Sequence, residues 1–234
     1  MKNAGGDREG EGEGNGNGNG GNGNGDGDGD GDCPVIVMAK APLPGYAKTR
    51  LIPALGAVGA AALAERLLAH TVRQALAARL GPVLLCCAPD IGHPTFQAWM
   101  VESRLRLRLH GQGDGDLGAR MQRAFDRGLQ GNRRALLIGT DAPALDACRL
   151  REAAAALDKH DAAFVPAHDG GYALVGLRCP APLLFDNMPW STPQLMASTR
   201  ERLASAGWSW AELAPVHDID EPADLAHLPP GWCE

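Results

Sequence analysis

Three short stretches of this 234-residue sequence carry residue types that can do chemistry on a phosphate. The first is Lys40-Ala-Pro-Leu-Pro-Gly45-Tyr-Ala-Lys48-Thr-Arg50, a Pro/Gly-shaped loop with three cations. Glycine lets a ligand approach the backbone at Gly45, and Lys48 and Arg50 supply charge for phosphate oxygens. It is not a P-loop, because Ala47 stands where a glycine must precede the lysine. The second stretch is Gly139-Thr-Asp141-Ala-Pro143, directly after an apolar run. A carboxylate there can hold a divalent metal on a phosphate, or simply serve as a turn or helix-cap residue. The third is His217-Asp218-Ile-Asp220-Glu-Pro222. In extended backbone its two aspartates face one side, although Asp220 could equally cap the helix that follows. A fourth segment, His168-Asp169-Gly170-Gly171-Tyr172, is either an ordinary turn or a loop that lets a ligand reach the backbone.

These groups must be positioned by regular elements. Apolar runs at Val35–Ala39, Val83–Cys87, Ala135–Ile138, Ala162–Val165 and Tyr172–Leu177 predict strands, as does the alternation of Leu105, Leu107 and Leu109 with arginines. A short strand is expected around Trp208–Leu213. Helices are expected over about 58–80, 95–102, 117–129 and 146–159. Another should start at Ser191-Thr192-Pro193, whose hydroxyls and proline suit a first turn, and run to Gly207. Leu68, Val72 and Leu76 mark one buried stripe, and Leu117, Met121, Phe125 and Leu129 another. Strands alternating with helices over some 200 residues predict a single α/β domain with a mostly parallel central sheet flanked by helices. Such sheets bind ligands at the carboxyl ends of their strands, which is where the four polar segments fall.

Composition narrows the function classes. Residues 1–32 hold eight acids and two bases, so the whole-chain charge of −6 belongs to them. Residues 33–234 hold 20 acids and 20 bases. The first 32 residues, rich in Gly, Asn and Asp, predict a disordered tail ahead of one domain over 33–234. Asp26-Gly-Asp-Gly-Asp30-Gly31 opens like a calcium loop, but its twelfth position is Val37 rather than a glutamate. A neutral body without a basic block argues against nucleic acid as a partner. The arginines at 104, 106 and 108 read as the solvent face of a strand. No run of 18 apolar residues predicts a membrane span, and six scattered cysteines without CxxC spacing suit a cytoplasmic protein with reduced thiols.

Six blocks recur in order: V-I-V-M-A-K-A-P at 35–42 with P-G-x-x-K-T-R-L at 44–51, G-D-L-G-x-R-M at 115–121, G-T-D-A-P at 139–143, D-G-G-Y-A-L-V-G-L at 169–177, M-P-W-S-T at 188–192, and D-I-D-E-P-A-D-L at 218–225. Together they resemble the glycosyltransferase-like radical-SAM/selenodomain-associated transferases, relatives of 2-phospho-L-lactate guanylyltransferases. The resemblance spans about residues 34–228. It implies a GT-A-type nucleotide-diphospho-sugar transferase fold, with Asp141, Asp218 and Asp220 on a Mg2+ or Mn2+. Lys48 and Arg50 would meet the nucleotide phosphates beside Lys40 and Gly45. Gly170, Gly171 and Tyr172 would line the sugar or acceptor side.

The expected activity is metal-dependent transfer from a nucleotide-sugar to a small-molecule acceptor, with Lys48, Arg50, Asp141 and Asp169 as the catalytic groups. Asp169 would be a general base on the acceptor hydroxyl. Two alternatives stand beside it: a nucleotidyltransferase that releases pyrophosphate, and a nucleotide-binding protein without catalysis.

Overall fold

The computed structural model describes residues 31–102 and 106–232. The tail over 1–30, its calcium-like loop, Arg104 and Cys233 lie outside the described residues. Asp32, at the expected end of the tail, lies 3.4 Å from Arg134.

Among the described residues, seven strands form one sheet: β1 (Val35–Lys40), β2 (Val83–Ala88), β3 (Leu107–Gly111), β4 (Ala135–Ile138), β5 (Ala162–Pro166), β6 (Tyr172–Leu177) and β7 (Trp210–Glu212). Their order is β3-β2-β1-β4-β6-β5-β7. All neighbours run parallel except that β6 is antiparallel to both β4 and β5. The sheet is flanked, among the described residues, by five α-helices: α1 (Ile52–Ala78), α2 (Pro94–Glu102), α3 (Leu117–Gly128), α4 (Ala147–Ala156) and α5 (Leu195–Ser205). This is the mixed α/β architecture that the strand–helix alternation predicts.

The strands read as unbroken apolar runs because both faces are covered. Successive residues then feed different layers. Val35, Val37 and Ala39 pack with α1, α2 and α4 through Leu68, Val72, Phe96 and Leu150. Ile36 points the other way, toward Met121 and Phe125 of α3 and Met196 and Leu203 of α5. A third, smaller cluster joins the start of α1 to the chain's last turn: Leu51, Ala60, Leu63 and Leu67 close around Ile219.

Several expected boundaries move. The strand expected from residue 104 begins at Leu107. Leu117 is exposed, so the α3 stripe starts at Met121. The helix expected from Ser191 begins at Leu195. Ser191 takes a left-handed backbone (φ 60°), and the Thr192 hydroxyl donates to Pro189 O at 2.7 Å instead of capping a helix. α1 is longer than expected and contains a break at Gly56 (φ 69°, ψ 166°). Counted from Thr49 to Ala78, it is long and apolar enough to cross a membrane by length and composition alone, without an uninterrupted run of 18 apolar residues. Its inner face, including Leu67, Leu68 and Val72, is spent on the core.

Candidate active site

The chain steps from β1 outward through β2 to β3, then returns to place β4 on the other side of β1. That reversal makes the carboxyl ends of β1 and β4 a topological switch point, the usual ligand position in such sheets. The loop after β1 brings Lys48 to it, and the loop after β4 brings Asp141.

Lys48 turns inward from a left-handed backbone (φ 50°, ψ 42°). Its ammonium donates to Ile219 O at 2.7 Å and to Asp220 Oδ1 at 2.9 Å, and is in direct contact with Asp141 Oδ1. The side chain is only 7% exposed. Burial alone would push the ammonium down, but the Asp141 and Asp220 charges outweigh it and hold Lys48 above its usual range.

The Asp-Ile-Asp motif is docked by three means. Ile219 is fully buried in the small cluster, its N–H donates to Asp141 O at 2.9 Å, and its carbonyl accepts from Lys48. The helical turn that follows is capped by Glu221 with Asp224, so Asp220 is released from capping duty. Asp146 likewise caps α4, which leaves Asp141 free of that role.

Asp218 takes different company. The loop 167–171, between β5 and β6, bridges to Val216, and His168 N–H donates to Val216 O at 3.1 Å. Asp169 is thereby brought near Asp218. Burial raises the Asp218 carboxyl to about 6, and the charges of Asp169, Asp220 and Asp141 add to the rise. Asp169 Oδ1 accepts from Gly171 N–H at 2.8 Å. Gly170 sits at φ 91°, with Pro193 against its Cα, so this block and the Met-Pro-Trp-Ser-Thr block meet. The partly buried Tyr172 ring packs edge-on against the core residue Phe164, 5.5 Å between centroids, and burial pushes its hydroxyl up. The backbone groups of Gly170 and Gly171 are all bonded within the chain, to Ala167, Met196 and Asp169.

The other first-loop residues stay at the surface. Lys40 and Arg50 are exposed, Arg50 lies 3.9 Å from Glu221, and Gly45 has a left-handed backbone with open space around it. Two features escaped the sequence reading. His168, His217 and His227 stack face to face beside Asp169 and Asp218, with centroids 4.1 and 3.6 Å apart. Only the repeated His-Asp pair at 168–169 and 217–218 hints at this. Gln112 is buried in the loop after β3 and donates to Ala39 O and Cys86 O, both at 3.0 Å. It ties together the ends of β1 and β2.

Among the described residues, no three His, Cys, Asp or Glu side chains form a ready metal cluster. The donor set nevertheless fits a hard cation. Two carboxylate oxygens and a backbone carbonyl already converge on the Lys48 ammonium, and Asp169 and Asp218 add negative charge that Lys48 does not balance.

Comparison with known proteins agrees with the fold. The structure is similar to a candidate nucleotide-diphospho-sugar transferase from Desulfovibrio desulfuricans G20. The TM-score is 0.74 at 27% identity, over 82% of this chain and 83% of that one. It is also similar to CMP:2-keto-3-deoxy-manno-octonic acid synthetase complexed with CTP, with a TM-score of 0.50 at 13% identity, over 83% of this chain and 96% of that one. At that identity the likeness is one of fold alone. No curated protein matches the sequence. The model of one bacterial family matches residues 71–192, a segment that contains Asp141 and the Asp-Gly-Gly-Tyr and Met-Pro-Trp-Ser-Thr blocks. The chain belongs to that family, described as uncharacterized proteins conserved in bacteria (DUF2064).

Proposed function

We propose that the protein is a metal-dependent transferase that takes an activated nucleotide, with a nucleotide-sugar as donor and a small molecule as acceptor. The observation that carries this reading is the meeting of Asp141 and Asp220 on Lys48 at the carboxyl ends of β1 and β4, with the charges of Asp218 and Asp169 close by. The similarity to the Desulfovibrio protein supports the choice of a sugar-nucleotide as that donor. Asp141 and Asp220, with Asp218 beside them, would hold a Mg2+ or Mn2+, which supplies charge neutralisation on the donor's diphosphate.

The chain's own groups do the rest. Arg50 and Lys40 are exposed on the first loop and meet phosphate oxygens as the donor enters, and the open backbone at Gly45 gives them room. Asp169 holds one oxygen on Gly171 N–H, which leaves the other to take the proton of an acceptor hydroxyl. Gly170 and Gly171 border the acceptor. Catalysis of this kind works by positioning and by fixed charge. We place the protein in the cytoplasm on its sparse cysteine pattern.

One observation favours a second reading. Exposed cations on the first loop also suit a triphosphate, as in a nucleotidyltransferase that releases pyrophosphate. Incubation with nucleotide-sugars and nucleoside triphosphates, each with Mn2+, separates the two by leaving group. A nucleoside diphosphate supports glycosyl transfer, and pyrophosphate as the sole product refutes it. Tight nucleotide binding with no turnover of any donor leaves a non-catalytic binder.

A further inference from the structure

We infer that Lys48 is a tethered cation that holds the place of the divalent metal in the ligand-free protein and yields it when donor phosphates arrive. The inference rests on the reading of this switch point as a nucleotide–metal site, and it assigns Lys48 a role in the order of binding.

The geometry requires a choice of occupant. An ammonium has three protons. Lys48 donates to Ile219 O and Asp220 Oδ1, and Asp141 Oδ1 is held against it as an ion pair. With the side chain only 7% exposed, the ammonium has little room for a phosphate oxygen while it stays there. The same three oxygens are the hard ligands a divalent ion would use, and Mg2+ takes its oxygens at about 2.0–2.1 Å. An ion at that distance from oxygens that the ammonium holds at up to 2.9 Å would share its space. Lys48 and the metal therefore exclude each other from this cradle.

The loop is built for the exchange. Lys48 sits in a backbone region that non-glycine residues seldom adopt (φ 50°), and Gly45 upstream is also left-handed, with no atom within 4 Å of where its Cβ would stand. The loop thus has open space at Gly45 while its lysine is held inward by charge. Incoming phosphate oxygens offer the ammonium an equivalent anion outside the cradle. Its departure from Asp141 and Asp220 leaves both carboxylates to the metal that accompanies the phosphates. The donor would bind before, or together with, the metal, and free metal alone would bind weakly.

A competing arrangement leaves Lys48 in place. Asp141 and Asp220 are 44% and 41% exposed at the side chain, and each has a second oxygen. A metal held only on those outer oxygens would never contact the Lys48 position. Exposure of Lys48 at saturating Mn2+ separates the two, because loss of the lysine charge strengthens Mn2+ binding in either arrangement. Mn2+ binding to the full chain without nucleotide is measured by electron paramagnetic resonance for wild type, Lys48→Met and Lys48→Met/Asp220→Asn. Lys48→Met is expected to bind Mn2+ at least about tenfold tighter than wild type, since an adjacent like charge is removed from a poorly screened site. The double variant should lose most of that gain.

A measurement on wild type covers the case in which Lys48→Met folds poorly. Saturating Mn2+ should increase labelling of Lys48 by a small amine reagent, with Lys40 and Lys159 as unchanging internal controls. Unchanged Mn2+ affinity in a folded Lys48→Met overturns the inference. So does a Lys48 that stays protected at saturating Mn2+, or a failure of every form to bind Mn2+. No nucleotide is present in either assay, so these failures are distinct from an absence of donor turnover, which would strike the proposed function.

Discussion

Replacing Ile219 with alanine tests how the site is anchored. Ile219 is fully buried and stands between the two aspartates of the motif. It fills a cluster with Leu51, Ala60, Leu63 and Leu67. Truncating a buried Ile to Ala costs about 2–5 kcal/mol, depending on how far the surroundings collapse. Here Ile52, Leu55, Leu225, Leu228 and Trp232 around the cluster are only partly buried. Such a rim relaxes more easily than the sheet core, which puts the cost in the lower half, about 2–3 kcal/mol. For a chain of this size the melting temperature should fall by about 5–10 °C. Ile219→Val, which removes one methyl, should cost about 0.5–1.5 kcal/mol. The loss should also be local in its effect. Asp141 O, Lys48 and Asp220 are all tied to this segment, so Mn2+ and nucleotide binding should weaken in Ile219→Ala. They should be spared in Phe125→Leu, a substitution in the opposite layer. Thermal denaturation and ligand titration of the three variants provide the check. A melting change under about 2 °C, corresponding to less than 1 kcal/mol, would refute the anchoring argument. Equal ligand loss in Phe125→Leu would refute its locality.

Three other outcomes follow from the geometry. Gly170→Ala should destabilise by about 2–3 kcal/mol in urea, because its backbone is left-handed (φ 91°) and the new Cβ would stand 2.2 Å from Pro193 O. Asp169→Asn should slow turnover by about 10²–10⁴-fold with little change in KM for the donor, and near-normal turnover would remove Asp169 as the base. Glu212 is held below its ordinary value of 4.5 chiefly by its hydrogen bond to Arg200. The stability it contributes is therefore full above pH 4.5 and lost as pH falls through its depressed folded value. Glu212→Gln should flatten that part of the acid denaturation curve by up to about 1 kcal/mol, given that both side chains are partly exposed.

What could be read from the sequence depended on distance along the chain. Strands β1, β2 and β4 were legible because burial on both faces leaves nothing but apolar residues in them. The reversed direction of β6 was not, since Tyr172–Leu177 reads as the same kind of apolar run as its parallel neighbours. The four polar segments were placed correctly at the sheet's carboxyl edge, yet their pairing was hidden. Asp218 and Asp220 look equivalent in an Asp-Ile-Asp motif, but one faces Asp169 and the other Lys48. Local rules also competed. Asp220 resembled a helix cap until Glu221 with Asp224 took the position, and Ser191-Thr192-Pro193 resembled a helix start that the backbone uses as a turn. Lys48 was legible as a cation on a loop but not as a buried one, because its acceptors come from the far end of the chain.

That separation has a consequence for synthesis. Lys48 and Asp220 are 172 residues apart. At about 5–20 residues per second, the ribosome delivers the aspartate roughly 10–30 s after the lysine. Through that interval the first loop has none of its acceptors from the Asp-Ile-Asp segment, and Ile219 is not yet present to close the cluster at the start of α1. The cradle around Lys48 can therefore close only after the Asp-Ile-Asp segment has been made, and the contacts of Arg66 with Gly231 and Trp232 follow later still.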